Sequence, residues 1–182
     1  MTRCMIGALK GKAAVITGGG SGIGKSMVER YLAEGASVVA ADINEASLKA
    51  LLEELEPEYG DKLKILKVNV SSKEEVEAMI DYTVEAFGKV DVVINNAGIL
   101  DNLLPIAEMP DDVWERIMNI NLNSVMYACR KAVQYFLKEK REGTIINTAS
   151  LSGLCAGRGG LAYTTSKFAV VGLTKNVAFM YS

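Results

Sequence analysis

The sequence predicts an α/β fold, a single domain over residues 1–182 built on a doubly wound parallel sheet. Short apolar runs alternate with longer segments of helical periodicity, which is typical of strand–helix–strand units. The runs are apolar almost throughout, as expected of strands covered on both faces. The predicted strands are residues 13–17, 37–41, 63–68, 90–95 and 144–149.

Composition excludes several classes of protein. Of 182 residues, 49% are hydrophobic and 23% are charged, and the net charge is −2. These values are ordinary for a soluble globular domain and give no electrostatic reason to expect nucleic acid or an anionic membrane as partner. No apolar run approaches the roughly 18 residues of a membrane span, and the N-terminal run is too short for a signal peptide. Cys4, Cys129 and Cys155 fit neither a disulfide framework nor a metal site, so we expect reduced thiols in a cytoplasmic protein without bound metal.

Capping residues mark the ends of several predicted helices. The Ser72 hydroxyl can cap a helix, and Glu75, three residues later, completes the pattern of a capping box. Gly88 stands where that helix should end, as Gly35 does for the first helix. A single long helix is predicted over residues 111–138. Its main apolar residues are Val113, Ile117, Ile120, Val125 and Val133.

A glycine-rich turn follows the first strand and opens the first helix. Residues 17–24 read Thr-Gly-Gly-Gly-Ser-Gly-Ile-Gly. In this context glycines let the backbone approach a phosphate, which binds to free N–H groups at the helix N-terminus. The spacing matches neither the Walker loop nor Gly-x-Gly-x-x-Gly. A flexible turn without a ligand is the alternative, and the density of glycines favours the phosphate-binding interpretation.

The end of the second strand carries a carboxylate, Asp42, 24 residues after Gly18. There it can accept hydrogen bonds from the adenosine ribose of NAD, and it would repel the 2′-phosphate of NADP. No arginine or lysine stands at positions 19–21 or 43–44 to offset that repulsion. An acidic cap for the following helix is a structural alternative that is compatible with ribose binding. The pattern favours NAD over NADP.

The chain contains no histidine, so proton transfer near neutral pH would need another group. Tyr163 and Lys167 stand four residues apart, and Ser150 precedes Tyr163 by thirteen residues. On a helix, positions four apart share a face, and an ammonium there would lower the pKa of a tyrosine from about 10. A nearby serine hydroxyl can hold a substrate oxygen. By itself, this spacing more often marks a surface tyrosine beside a solvated lysine, and the other motifs of the chain reverse that balance.

Together these motifs resemble the short-chain dehydrogenase/reductase family, in its short and not its extended branch. The resemblance covers the chain from about residue 9 onward. The motifs, in order, are Thr17-Gly18-x-x-x-Gly22-x-Gly24, Asn95-Asn96-Ala97-Gly98, Asn121, Ser150 and Tyr163-x-x-x-Lys167. The resemblance implies a Rossmann-like, NAD-binding domain that also carries the catalytic residues.

The resemblance implies a role for each of four catalytic residues. Tyr163 exchanges a proton with the substrate oxygen, which Ser150 orients and polarises. Lys167 lowers the pKa of the tyrosine and holds the nicotinamide ribose. Asn121 helps to anchor a water chain that relays protons to the lysine. The implied reaction moves a hydride between NAD(H) and a secondary alcohol or its ketone, and a sugar alcohol, a hydroxysteroid-like ring alcohol and a 3-oxoacyl thioester stay open as substrates.

The implied cofactor site combines the glycine-rich turn with the ends of the second, third and fourth strands and with Tyr163 and Lys167 of the last helix. Its members are Gly18, Ser21, Gly22, Ile23, Gly24, Asp42, Asn69, Val70, Asn96, Ala97, Gly98, Tyr163 and Lys167. Asn96 and Gly98 are expected beside the adenosine. One position departs from the family pattern, which commonly has Asp-Val where this chain has Asn69-Val70. The Asn69 carbonyl can still accept a hydrogen bond from the adenine amino group, and a turn-forming role is the structural alternative.

Length is a second departure. The family normally continues with a sixth strand, a Pro-Gly near the nicotinamide and a substrate-covering loop, whereas this sequence stops at Ser182. A truncated chain and a piece of a longer one both stay open. A non-catalytic NAD-binding module or an inactive fragment is therefore the alternative function. A chain truly ending at Ser182 is expected to be poorly soluble, because the edge of its fifth strand would be exposed.

Two helices carry more apolar residues than one buried stripe needs. They are the helix over residues 111–138 and the helix that begins near residue 161. In the second, the apolar residues Phe168, Val171, Leu173, Val177, Ala178 and Met180 spread around much of the circumference. In the family, two such helices from each subunit pack about a two-fold axis. We therefore expect a homodimer or homotetramer.

Overall fold

Five parallel strands form one sheet in the computed structural model, which describes residues 7–181. The strands are β1 (Ala13–Thr17), β2 (Ser37–Asp42), β3 (Leu63–Lys67), β4 (Val92–Asn95) and β5 (Thr144–Asn147). Their order is β3-β2-β1-β4-β5, and every pairing is parallel. The strand order therefore reverses between β1 and β4. In open parallel sheets this reversal creates a crevice at the carboxyl ends of the strands, where ligands bind.

Six α-helices within residues 7–181 connect and cover these strands. They are α1 (Gly22–Ala33), α2 (Glu45–Tyr59), α3 (Lys73–Phe87), α4 (Asp111–Met118), α5 (Ser124–Lys138) and α6 (Leu161–Tyr181). One core lies between the sheet and α1 and α2, and a second lies between the sheet and α3 and α5. Helices thus cover both faces, and the predicted doubly wound α/β fold is confirmed. Among the described residues, no helix is long and apolar enough to cross a membrane.

The central and edge strands differ in burial. All five residues of β1 are buried, and alternate side chains enter opposite cores, with Ile16 in the first and Val15 in the second. In β5, by contrast, Thr144 is exposed and Ile146 is 39% exposed. Burial on both faces was therefore a correct prediction for β1, β2 and β4 and a wrong one for β3 and β5. Within residues 7–181 these two strands have a neighbour on one side only.

The predicted caps of α3 are mostly correct. The Ser72 hydroxyl accepts a hydrogen bond from the Glu75 amide at 3.2 Å, and Gly88 ends the helix with a left-handed φ of 74°. The Glu75 carboxylate, however, does not return to the Ser72 amide. It accepts the Asn69 amide at 2.8 Å and so ties α3 to the segment that follows β3.

The helix predicted over residues 111–138 is unbroken, but it is not α-helical throughout. Between α4 and α5 the chain forms one π-helical turn at Asn119–Asn123. The Ser124 hydroxyl donates to the Ile120 carbonyl at 2.6 Å, and the side chain of Asn121 points away from the helix toward Ile99. Such wide turns are frequent at functional sites. Here the turn brings Asn121 against the chain segment that leaves β4.

Candidate functional site

A cleft of about 840 Å³ opens at the carboxyl ends of the strands. Fourteen of the predicted site residues line it, and they come from distant parts of the chain. These residues are Gly18, Ser21, Gly22, Ile23, Gly24, Asp42, Asn69, Val70, Asn96, Ala97, Gly98, Ser150, Tyr163 and Lys167. Asn121 is the predicted residue that does not line the cleft, because its side chain is buried behind the wall. The fold therefore brings the glycine-rich turn and the Ser-Tyr-Lys set to one place.

The glycine-rich turn owes its shape to close backbone packing. Gly18 has a positive φ of 67°, a conformation that other residues rarely adopt. A side chain on Gly24 would run into the Gly18 carbonyl and would lie 2.8 Å from the Asn96 amide nitrogen. The Gly19 amide donates to the Ala41 carbonyl at 3.0 Å, which joins the turn to the end of β2. These contacts hold the backbone of the glycine-rich turn in place at the N-terminus of α1, which faces the cleft.

Asp42 closes one end of the cleft. Its Oδ2 accepts the Gly20 amide at 3.0 Å, and its Oδ1 accepts the Asn44 amide at 2.9 Å. Asn44, and not Asp42, caps α2, because its Oδ1 accepts the Ser47 amide at 3.1 Å. The carboxylate is therefore held in place by backbone N–H groups, and each oxygen keeps a further lone pair for a ligand.

Asn69 and Val70 line the same cleft, but the side chain of Asn69 is already engaged. Its Oδ1 accepts hydrogen bonds from the Ser71 amide at 3.1 Å and from the Ser71 hydroxyl at 2.7 Å. The turn-forming alternative for Asn69 is thus present in the structure. Both lone pairs of the oxygen that was expected to bind the adenine amino group are used. An adenine contact through Asn69 stays a prediction.

Thr17 and Asn96 join the ends of β1 and β4. The Thr17 hydroxyl accepts the amides of Asn96 at 2.9 Å and Ala97 at 3.1 Å. The Asn96 side chain donates to the Thr17 carbonyl at 3.1 Å and accepts the Thr148 hydroxyl at 3.3 Å, which extends the link to β5. The bridging roles of Thr17 and Thr148 were not predicted, because the partners are far apart in sequence. A side chain at Gly98 would lie 3.5 Å from Lys167 Nζ, so Gly98 is close to that ammonium, and its contact with adenosine stays a prediction.

Tyr163 and Lys167 share one face of α6, as their spacing predicts. Lys167 is only 4% exposed, and its Nζ donates to the Thr148 carbonyl at 2.8 Å and lies 5.7 Å from the centre of the Tyr163 ring. Burial lowers the pKa of Lys167 below its ordinary value. Within residues 7–181, no carboxylate forms an ion pair with this ammonium. A buried cation without a protein counter-ion, at the wall of a cleft, is typical of a functional group.

Ser150 lies three residues after the end of β5. Its Oγ accepts the Ser152 amide at 3.1 Å, so the hydroxyl hydrogen is left to donate elsewhere. Ser150 lines the cleft together with Tyr163 and Lys167. The three residues predicted from the sequence as a set therefore stand at one end of one cleft.

Asn121 acts on the backbone of the chain that leaves β4. Its Oδ1 accepts the Ile99 amide at 2.8 Å, and its Nδ2 donates to the Ile99 carbonyl at 2.9 Å and to Ser166 Oγ at 3.2 Å. Ser166 lies on α6, so this buried amide connects the loop after β4 with the helix that carries Tyr163. Anchoring of a proton-relaying water chain by Asn121 stays a prediction.

Asp101 is a residue that the sequence analysis missed. It is 1% exposed, and its carboxylate accepts amides at the start of α6. The available signal was indirect, since Gly160 offers no side chain to cap α6.

Two of the three cysteines are described. Cys129 is buried, which raises the pKa of its thiol, and Cys155 is exposed and does not line the cleft. Cys4 lies outside the described residues.

Comparison with known proteins extends these observations. The family described as short chain dehydrogenase matches residues 12–182. The chain is 68% identical over 174 residues to the 3beta-hydroxysteroid dehydrogenase 2 of Eggerthella lenta, covering 96% of this chain and 66% of that protein. The chain therefore spans slightly less than two thirds of the length of this curated relative.

Two solved structures show the same architecture. A short chain dehydrogenase from Mycobacterium smegmatis superposes with a TM-score of 0.90 at 37% identity, over 96% of this chain and 73% of that one. A short chain dehydrogenase/reductase from Burkholderia phymatum, solved in complex with NAD, gives a TM-score of 0.87 at 33% identity, over 93% and 59% of the two chains. Family match, sequence identity and fold agree: the chain belongs to the short-chain dehydrogenase family.

Proposed function

We propose that the protein is an NAD-dependent dehydrogenase that interconverts a steroid 3β-hydroxyl group and the corresponding ketone. The observation that carries the proposal is that Ser150, Tyr163 and Lys167 line the same cleft as the glycine-rich turn and Asp42. The steroid substrate is supported by the name of the Eggerthella lenta relative, which is 68% identical to this chain.

The cleft fits a dinucleotide. At Gly22, which lines the cleft with a positive φ of 53°, a side chain would meet no protein atom and would fill the space before the N-terminus of α1. Free N–H groups at that terminus suit a pyrophosphate. Asp42 stands at one end to accept ribose hydroxyls, and Lys167 stands at the other. NAD, when bound, supplies the hydride acceptor for alcohol oxidation.

The residues around the reacting oxygen have complementary roles in the proposal. The Ser150 hydroxyl donates a hydrogen bond to the substrate oxygen and orients it. Tyr163 takes the hydroxyl proton in oxidation and returns it in reduction. The Lys167 ammonium, held by the Thr148 carbonyl, places a positive charge beside the Tyr163 ring. No histidine is needed for this set.

The surroundings of this end of the cleft suit an apolar ring system. Ile99, Leu100 and Ile120 line the cleft, and Leu100 is 62% exposed. Leu151 and Leu154, which follow Ser150, are also largely exposed. A steroid would cover such side chains, whereas a sugar alcohol offers little apolar surface to them.

The test is turnover of a 3β-hydroxysteroid with NAD, followed by NADH absorbance, for the unmodified protein and for Tyr163→Phe. We expect NADH to form with the 3β epimer and not with the 3α epimer. Tyr163→Phe should lower the rate by about a hundredfold or more, because proton transfer by a positioned group contributes that much. NAD binding, measured by fluorescence titration, should be nearly unchanged because the ring is retained.

Two outcomes would contradict this function. NAD binding without turnover of any hydroxysteroid would contradict the steroid substrate, and NAD binding without turnover of any secondary alcohol would favour a non-catalytic NAD-binding module. A near-normal rate for Tyr163→Phe in an assay limited by chemistry would remove Tyr163 from its role. Cyclohexanol, a simple ring alcohol, is the comparison substrate. Its turnover at a rate similar to that of the steroid would show that the steroid skeleton is not needed.

A further inference from the structure

Asp101 is a buried carboxylate in the loop between β4 and α4. It is 1% exposed, although its neighbours Leu100 and Leu103 are 62% and 71% exposed. Its Oδ1 accepts the Gly160 amide at 3.1 Å, and its Oδ2 accepts the Tyr163 amide at 2.9 Å. An acidic side chain is rarely buried without a specific partner, and here both oxygens bind the start of α6.

The start of α6 depends on this distant residue. The helix begins at Leu161, and the residue before it, Gly160, has no side chain that could cap it. A side chain at Gly160 would lie only 2.6 Å from the Asp101 carboxyl carbon, so the carboxylate occupies the space that a local cap would use. The Leu161 amide donates to the Leu104 carbonyl at 3.0 Å. The loop after β4 therefore supplies the cap that the sequence around Gly160 lacks.

Tyr163 is fixed from two sides through this loop and its neighbours. Its amide is held by Asp101, and its carbonyl accepts the Ser166 hydroxyl at 2.7 Å. Ser166 in turn accepts a hydrogen bond from Asn121, and Asn121 also accepts the Ile99 amide at the start of the same loop. The backbone of Tyr163 is thus held by hydrogen bonds that connect the loop after β4, the π-helical turn and α6.

We propose that Asp101 is a positioning residue, which sets Tyr163 against Ser150 and Lys167 by capping α6 from the loop after β4. The proposal rests on the proposed function for its kinetic consequences, but the cap itself does not. Two left-handed residues, Asn102 with φ 56° and Leu103 with φ 62°, follow Asp101 and turn the chain back toward the surface. The loop adopts this uncommon conformation while Asp101 points inward.

The experiment compares Asp101→Ala and Asp101→Asn in the intact protein. In Asp101→Ala, kcat should fall about tenfold or more, because small displacements of a reacting group are costly, while the Kd for NAD should stay within about twofold of the unmodified value. Asp101→Asn keeps one carbonyl acceptor and should recover a substantial part of kcat. Hydrogen exchange of the amides at residues 160–164 should accelerate in Asp101→Ala and less in Asp101→Asn.

The matched control is Asp91→Ala, which removes another buried carboxylate that accepts a backbone amide, at the opposite end of β4. It should lower Tm without lowering kcat. Wild-type kcat in Asp101→Ala, or kcat losses as large in Asp91→Ala, would overturn the positioning role. If Asp101→Ala does not fold, Asp101→Asn is the test. A lower kcat with an unchanged Kd for NAD would support the positioning role, and an unchanged kcat would overturn it. If the unmodified protein turns over no steroid, the proposed function fails, and unchanged exchange at residues 160–164 would separately overturn the cap.

Discussion

Asp42 shows how one residue can serve both the fold and the choice of cofactor. Its two oxygens hold the Gly20 and Asn44 amides. Position 20 is tightly packed, because a β-carbon there would lie 3.1 Å from Asp42 Oδ2 and 3.1 Å from the Ser47 β-carbon. The residue at position 20 is glycine, so it brings no cation to the cleft beside Asp42.

We predict that NAD binds about tenfold or more tightly than NADP, because Asp42 repels a 2′-phosphate. Asp42→Ala should narrow this gap by weakening NAD binding and removing the repulsion. Asp42→Asn is the matched variant, since it keeps an acceptor for the Gly20 amide but no charge. Fluorescence titration with both cofactors measures the effect. Equal affinities of the unmodified protein for NAD and NADP would contradict the assignment.

At the residue scale, the sequence predicts groups that face the cleft better than groups that support them. Ser150, Tyr163 and Lys167 were predictable because their chemistry is recognisable at short spacing. Asp101 was not, because its partner Gly160 lies 59 residues further along the chain. For Asn69 the sequence predicted two roles but did not distinguish them, since a turn-forming and a ligand-binding asparagine have the same local sequence.

At the scale of elements, β4 is fixed at its start by Asp91. This carboxylate is 5% exposed, accepts the Ala13 amide at 2.8 Å and pairs with Arg141 at 2.8 Å and Lys89 at 3.0 Å. Burial alone would raise the pKa of Asp91, but the Ala13 hydrogen bond and the two cations outweigh it and hold the pKa below its ordinary value. The ionised form is therefore favoured by folding.

We predict that Asp91→Asn lowers the free energy of unfolding by about 2 kcal/mol at neutral pH, because it removes charged hydrogen bonds. A depressed pKa in the folded state gives stability that is complete above the unfolded pKa of about 3.9 and is lost as pH falls through the folded pKa. The difference between variant and unmodified protein should therefore shrink below about pH 4. Urea unfolding across pH measures it.

The control for Asp91→Asn is Asp61→Asn, which removes a fully exposed acid from a surface pair with Lys64. Its effect on the free energy of unfolding should be small beside that of Asp91→Asn, because solvent screens an exposed pair. An Asp91→Asn difference that stays constant from neutral to acid pH would show that the carboxylate charge is not the cause.

The π-helical turn shows where element prediction stops. Apolar periodicity predicted one helix over residues 111–138, and the chain is helical from α4 through the π-helical turn to α5. A signal was present, because the step from Ile120 to Val125 is five residues, wider than a helix of about 3.6 residues per turn requires. The π-helical turn, however, is stabilised by hydrogen bonds between Asn121 and Ile99, which form only in the folded chain.

At the scale of the whole molecule, the order of the strands follows from general rules more than from particular residues. Alternating strands and helices give parallel strands with helices on both faces, and the reversal between β1 and β4 places the cleft. Edge burial was harder to foresee. β3 and β5 each combine apolar with polar residues in sequence, and their position at the edges of the sheet decides how much of each strand is covered.

The surface of α6 leads to the last prediction. Phe168, next to the buried Lys167, is 46% exposed, and Phe179 and Met180 are 83% and 61% exposed. Aromatic side chains exposed together on one helix commonly mark an interface, and two-fold symmetric pairing is the most frequent arrangement for soluble oligomers.

We predict that the intact protein is a homodimer or homotetramer with α6 and the α4–α5 pair at the interface. Phe168→Asp should dissociate it, because a carboxylate in an apolar interface is left without a partner. Ile106→Asp is the control, since Ile106 is 77% exposed and lies on neither helix, so this variant should keep the oligomer. Sedimentation velocity at micromolar concentration measures the state. A monomeric unmodified protein would contradict the interface, and dissociation by both variants equally would show that α6 is not its specific site.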